Sequence, residues 1–276
     1  MSKIEKIYLL IVRRIQWIIT YCFPPKMNYG ENRVENPISR HLSCAFIPHA
    51  DDEILGMGSL LEKENIELVY FGYTGSRSDA HNKIIRNNEY KNFCERHYYK
   101  TMNYLWDTNL KMLLHRVEFI FLPSIVDWHS EHRKLNWLCC ELCEKLGIRP
   151  NIVWYNISIP CCSNSNVFYV EMTRGEIKRK YNDFKNFYPS QRNIPVMRFK
   201  AKERIYGRES NSFAAEKFVI LTFGEWKHNL DVFQKTSMDK DAEELIFYIN
   251  NINIAAEKAF ELYTKFEKKD WYIKDE

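Results

Sequence analysis

No apolar stretch of this 276-residue chain is long enough to cross a bilayer, because Arg13 and Arg14 interrupt the most hydrophobic segment, and a spanning helix needs about 20 largely apolar residues. The chain also has no long arginine–lysine tract. Its formal net charge is +4 with basic and acidic residues interspersed, so charge alone implies no nucleic-acid partner. Internal repeats and low-complexity segments are absent, which excludes solenoid and collagen-like architectures. Gly56-Met57-Gly58 lacks the third glycine of Gly-x-Gly-x-x-Gly and lies beyond a strand-end loop, so it is no dinucleotide fingerprint. The eight cysteines include Cys140-x-x-Cys143, but no second well-spaced pair accompanies it and no signal peptide is evident. Reduced cysteines of a cytosolic protein are therefore expected, rather than a disulfide framework or a cysteine-rich metal site.

What is present suits one sizeable core, with 45% hydrophobic and 15% aromatic residues. Residues 1–25 predict an amphipathic helix, with Ile4, Ile7, Tyr8, Ile11, Ile15, Ile18, Ile19 and Cys22 on one face. Pro24-Pro25 ends it, and residues 26–40 read as a linker. Over 41–223 strands and helices alternate. Strands are expected at Cys44 to Ile47, Ile66 to Tyr73, Glu118 to Leu122 and Asn151 to Ile157, with helices near Glu53 to Lys63, Ala80 to Tyr99 and Ser130 to Leu146. Such alternation predicts an α/β fold with a Rossmann-like, mainly parallel sheet and helices on both faces, whose ligands bind at the carboxyl ends of the strands. Beyond Ile157 the pattern gives a loop over Pro160 to Asn166 and a helix over Arg174 to Phe187. Residues 224–276 predict a helical extension, centred on Asp239 to Glu267, packing on the core.

Chemistry gathers at two of these strand ends. Pro48-His49-Ala50-Asp51-Asp52-Glu53 follows one apolar run, and Asp127-Trp128-His129-Ser130-Glu131-His132 follows another. His49, one of the two aspartates and a histidine of the second cluster can supply three metal ligands and leave a position for water. The spare carboxylate can then serve as base in hydrolysing an amide or ester. Asp51 or Asp52 can alternatively act as a plain N-cap.

The first cluster, continued as Ile54-Leu55-Gly56-Met57-Gly58, resembles the first signature of the PIG-L/LmbE-like deacetylases, and the second resembles that family's His-x-Asp-His signature. Arg86-Asn87-Asn88-Glu89, Trp106-Asp107 and Tyr188-Pro189-Ser190-Gln191 extend the likeness over Ser43 to Phe223. The resemblance implies that His49, Asp52 and His132 bind zinc and that Asp51 is the general base. It places His129 beside the metal, where a protonated imidazole can stabilise an oxyanion or protonate the leaving amine, with Asp127 orienting or charging it. Arg86 and Asp107 become candidates for gripping substrate hydroxyls or an anionic group, although an Arg86–Glu89 contact along one helix is an equal alternative. Two positions depart from the family: Ala50 stands where it has proline, and Glu131 where it has aspartate.

The expected activity is zinc-dependent removal of the N-acetyl group from an N-acetylhexosamine in a glycoconjugate. Alternatives are an amidase acting on a thiol conjugate or an acylated antibiotic, and a non-catalytic glycan-binding protein that keeps the metal. A cytoplasmic location is expected. The N-terminal helix either lies peripherally on the inner face of a membrane carrying a lipid-linked sugar, helped by Trp17 and Tyr21, or docks on its own domain or on a second subunit of a homo-oligomer.

Overall fold

A computed structural model describes residues 3–27, 30–74, 80–163 and 165–266, with side chains of the first helix described from Ile11 onward. Its strands are β1 (Asn32–Arg33), β2 (Ser43–Ile47), β3 (Ile66–Tyr70), β4 (Thr101–Asn103), β5 (Phe119–Pro123), β6 (Asn151–Tyr155), β7 (Asn166–Met172) and β8 (Ala214–Leu221). Among the described residues they form one eight-stranded sheet in the order β1-β7-β8-β6-β5-β2-β3-β4. Only β8 is reversed: it is antiparallel to β6 and β7, whereas the other pairings are parallel.

The central strands β2, β5 and β6 are apolar over most of their length because both of their faces are covered. Along β2, Cys44 and Phe46 enter one core while Ala45 and Ile47 enter the other, and β5 and β6 divide their side chains in the same way. Helices α2 (Asp52–Lys63), α3 (Ala80–His97) and α6 (Arg174–Phe187) cover one face. The other is covered by α4 (Thr108–Arg116), α5 (Ser130–Leu146), α8 (Phe223–Lys235) and α10 (Ile252–Phe266). The chain therefore leaves the adjacent strands β2 and β5 toward opposite faces. That divergence opens a crevice at their carboxyl ends, the place where open α/β sheets bind ligands.

Several elements differ from the sequence expectation. The linker contributes β1, which adds to the sheet edge beside β7. Strand β3 stops at Tyr70, short of Gly72 with its φ of +67°. The expected C-terminal helix is broken into α9 (Met238–Glu244), a 3-10 turn and α10, and Asn251 caps the restart by accepting from the Ile254 N–H at 3.4 Å. Glu267 lies outside the described residues, as do the side chains of Ile4, Ile7 and Tyr8. Helix α1 (Lys3–Cys22) packs on α7 (Val196–Ser210). Trp17, which one of the two readings of this helix places at a membrane, is buried, as is Thr20, while Ile11, Ile15, Ile18, Ile19 and Phe23 remain exposed. No helix among the described residues is long and apolar enough to cross a membrane.

Gly56 and Gly58 serve packing. A Cβ on Gly56 would meet the Tyr155 ring at 2.6 Å, and Met57 between them leaves helical geometry at φ −148°. The backbone N–H groups of Ser59 and Leu60, beyond this kink, donate to Glu216 of β8 at 2.9 and 3.0 Å. Lys180 balances that buried carboxylate and the neighbouring Glu203, at 2.6 and 2.5 Å. Lys180→Met leaves two buried carboxylates without their cation, and we expect a loss of about 3–5 kcal/mol in urea unfolding. A change under about 0.5 kcal/mol would contradict this role.

Candidate active site

The loop after β2 is a tight turn into α2. Asp51 sits there with φ 111°, a left-handed conformation that costs a non-glycine residue about 1–3 kcal/mol. Its surroundings over-determine it. The Asp51 N–H donates to Glu53 Oε2 at 3.1 Å, and Tyr188 donates its hydroxyl to the other oxygen of Glu53. Arg86 Nη2 donates to the Ala50 carbonyl at 2.7 Å and to Asp51 Oδ1 at 3.2 Å. With the Gln191 amide turned so that its oxygen faces Arg86, that oxygen accepts from Nε and Nη2 at 2.9 and 3.1 Å. Glu89 accepts from the N–H and hydroxyl of Ser190 at 2.8 and 2.5 Å. The Arg86 and Glu89 motif thus interlocks with Tyr188 to Gln191, and Glu89 turns to Ser190 while Arg86 turns to the loop after β2.

The loop after β5 supplies the second half. Asp127 Oδ1 accepts from the His129 N–H at 2.8 Å, and His129 caps α5, its Nδ1 accepting from the Glu131 N–H at 3.4 Å. His132 follows on the first turn, with its Nδ1 3.3 Å from Asp127 Oδ2 but out of hydrogen-bond alignment. The Asp127 carboxylate therefore faces the ring of His132, not the ring of His129 as expected. Glu131 reaches across to His49 Nε2 at 2.7 Å, so the departure from aspartate gives that imidazole a partner.

Three donor atoms converge where the loops meet. His49 Nδ1 lies 2.8 Å from Asp52 Oδ2 and 3.1 Å from His132 Nε2, and the last two are 3.3 Å apart. Ligand atoms around a tetrahedral zinc are separated by about 3.3 Å given bonds near 2.0 Å. His129 lies further out, in a wider group in which one ring nitrogen each of His49, His129 and His132 falls within 4.8 Å. The electrostatics also call for a cation. Burial opposes charging His132, yet Asp52 and Asp127 outweigh it and raise the imidazole to about 10. Burial likewise opposes ionising Asp52, but His132 and His49 hold its carboxyl well below the usual range. Two imidazoles and a carboxylate, all buried and converging, fit a divalent metal, and Asp127 and Glu131 are placed as the outer carboxylates that fix ligand orientation.

Burial and the neighbouring Asp52 push Asp51 up to about 7, against the pull of Arg86. Burial, with His132 and His49, holds His129 down to about 4. That direction favours a neutral ring over the protonated His129 of the sequence expectation, and with Nδ1 accepting, a neutral ring carries its proton on Nε2. His49, Asp51, Asp52, His129, His132 and Arg86 line one cavity of about 420 Å³. Asp107 does not line it, and its carboxylate caps α4 by accepting from the Leu110 N–H at 3.0 Å. The sequence reading named Glu53 only as part of the first cluster, without a role, and did not single out Arg198; both are buried.

No protein-family model and no curated protein matches this chain. Among solved structures, a triple mutant of the deacetylase Orf2 of teicoplanin biosynthesis is similar at 8% identity and a TM-score of 0.48, covering 66% of this chain and 98% of its own. The A40926 pseudoaglycone deacetylase Dbv21 gives 11% and 0.48 over the same shares. A zinc-inhibited form of Orf2 gives 8% and 0.48, over 65% and 98%. At such values these likenesses assign no activity to this chain.

The geometry predicts one divalent metal ion bound per chain, measured by calorimetric titration with zinc as the probe. His132→Ala should abolish binding, Glu131→Ala should weaken it about 10–100-fold, and Asp107→Asn should leave it unchanged. Equal affinity in the wild type and His132→Ala would place any bound metal elsewhere.

Proposed function

We propose that this protein is a zinc-dependent N-deacetylase acting on an N-acetylhexosamine within a glycoconjugate. The observation that carries the reading is a second carboxylate, Asp51, fixed beside the His49, Asp52 and His132 triangle but outside it. A binding module has no use for a base held in a strained turn. Zinc held by the triangle would supply Lewis acidity to the acetyl carbonyl and to water. Asp51 takes the proton from the attacking water, whose oxygen forms the new bond to the acyl carbon. His129 Nε2–H donates to the oxygen that gains negative charge. Asp51 then returns its proton to the amine nitrogen as the carbon–nitrogen bond breaks, releasing acetate and a free amine. Arg86, already committed to Ala50 and Asp51, acts by holding the base in place. Trp128 and Phe199, with the polar Ser190, Gln191 and Asn193, give a cavity wall of the mixed kind that sugars fit.

The outward stripe of α1 belongs to the same proposal as a contact with an anionic membrane surface. At the C-terminal end of that helix Arg174, Lys178, Lys200 and Arg204 line a cavity with Tyr21 and Cys22. None of the four forms an ion pair with a carboxylate among the described residues. Exposed isoleucines beside clustered cations suit an anionic lipid interface.

Acetate release from N-acetylglucosamine conjugates should fall about 10²–10⁴-fold in Asp51→Asn while zinc remains bound. Full activity in that variant would remove Asp51 from the chemistry. The zinc-loaded protein should also sediment with phosphatidylglycerol vesicles and not with phosphatidylcholine ones, and the pair Ile15→Glu with Ile18→Glu should release it. Self-association through α1 in sedimentation velocity, without vesicle binding, would assign the stripe to a second copy instead.

A further inference from the structure

The reaction above leaves Arg198 without a task. It stands on the first turn of α7, 8% exposed, and lines the active-site cavity with Ser158 and Phe199. Its Nε has no hydrogen-bond partner, and Nη2 makes one long contact, 3.4 Å to Ser158 Oγ. Among the described residues no carboxylate forms an ion pair with it. Burial holds the guanidinium down to about 10, opposed chiefly by the more distant Asp127.

Other buried cations of the fold are provided for. Arg133 pairs with Asp239 and Glu243, Lys180 with Glu203 and Glu216, and Lys217 with Glu209. Lys202, one turn along α7 from Arg198, donates to the carbonyls of Asn156 and Ile157 at 2.5 and 2.7 Å. Those contacts fix the end of β6 and hence Ser158 opposite Arg198. Arg86, on another part of the cavity wall, is occupied by Ala50, Asp51 and Gln191. A buried cation is retained at a cost unless something pairs with it, and a guanidinium with free donors matches an oxyanion in shape and charge.

We infer that Arg198, with Ser158 Oγ beside it, receives an oxyanion substituent of the substrate, a phosphate or a carboxylate carried near the acylated amine. This rests on the deacetylase reading of the same cavity, which it narrows to anionic conjugates. It makes Arg198 a specificity residue that acts in binding, with Asp51 and the metal ligands untouched.

Binding is measured calorimetrically on the zinc-loaded Asp51→Asn protein, so that no turnover intrudes, with N-acetylglucosamine 1-phosphate, N-acetylmuramic acid and the neutral methyl N-acetylglucosaminide. One anionic sugar should bind at least about tenfold tighter than the neutral one, and which does so separates phosphate from carboxylate. Adding Arg198→Gln should erase that preference while the neutral sugar's affinity stays within about twofold, and Arg198→Lys should restore part of it, which also controls for folding. Absence of any Arg198-dependent preference for either anion overturns the inference, whether or not wild-type protein releases acetate. An Arg198-dependent preference in a protein whose wild type releases no acetate upholds the anion site and removes the deacetylase reading instead.

Discussion

The interaction on which the rest of the structure depends is the approach of His49, Asp52 and His132 to within 3.3 Å of one another across two strand ends. It exists because β2 and β5 are adjacent and parallel, and because their following helices leave on opposite faces. Residues at the two carboxyl ends must meet in the crevice that this divergence opens. The neighbouring carboxylates Asp51, Glu53 and Asp127 are all buried as well, so the crevice concentrates titratable groups whose charges are set by one another.

Much of the remaining architecture holds that crevice open in one geometry. Arg133 donates to the carbonyls of Asp127 and Trp128 at 2.9 and 3.0 Å while pairing with Asp239 and Glu243 of α9. Ser124, at the start of the same loop, bonds the Tyr263 hydroxyl of α10 at 2.6 Å. The C-terminal helices thus clamp the loop that carries His129. On the other side, Glu53 and Tyr188 tie the strained Asp51 turn to the segment after α6. Burial pushes the Glu53 carboxyl up to about 8, against the Tyr188 hydrogen bond, which pulls it down.

The centre of the fold was legible in the sequence for a physical reason. Strands buried on both faces read as unbroken apolar runs, so β2, β5 and β6 stood out, and α5 was bounded by His129 as cap and by Gly147 with its φ of +65°. The polar clusters at those strand ends were equally visible, since nothing in the surrounding core resembles them. What escaped notice was charge placed inside. Strand β8 carries the buried Glu216 and Lys217, and α7 carries the buried Arg198, Lys202 and Glu203. In such segments the burial pattern no longer follows hydrophobicity, because ion pairing and carbonyl contacts take over its role. Strand β4 has only three residues, too few to display a period. Partner choice was also invisible: Asp127 turned to His132, Asp107 to a helix cap, and Glu131 to His49.

The most direct test of the metal centre is X-ray absorption at the zinc edge of the loaded protein. Ligation by His49, Asp52 and His132 predicts only nitrogen and oxygen neighbours at about 2.0–2.2 Å, with the outer-shell scattering of two imidazoles. The eight cysteines make the opposite result easy to recognise. A sulfur shell near 2.3 Å would put the metal elsewhere in the chain and contradict the account.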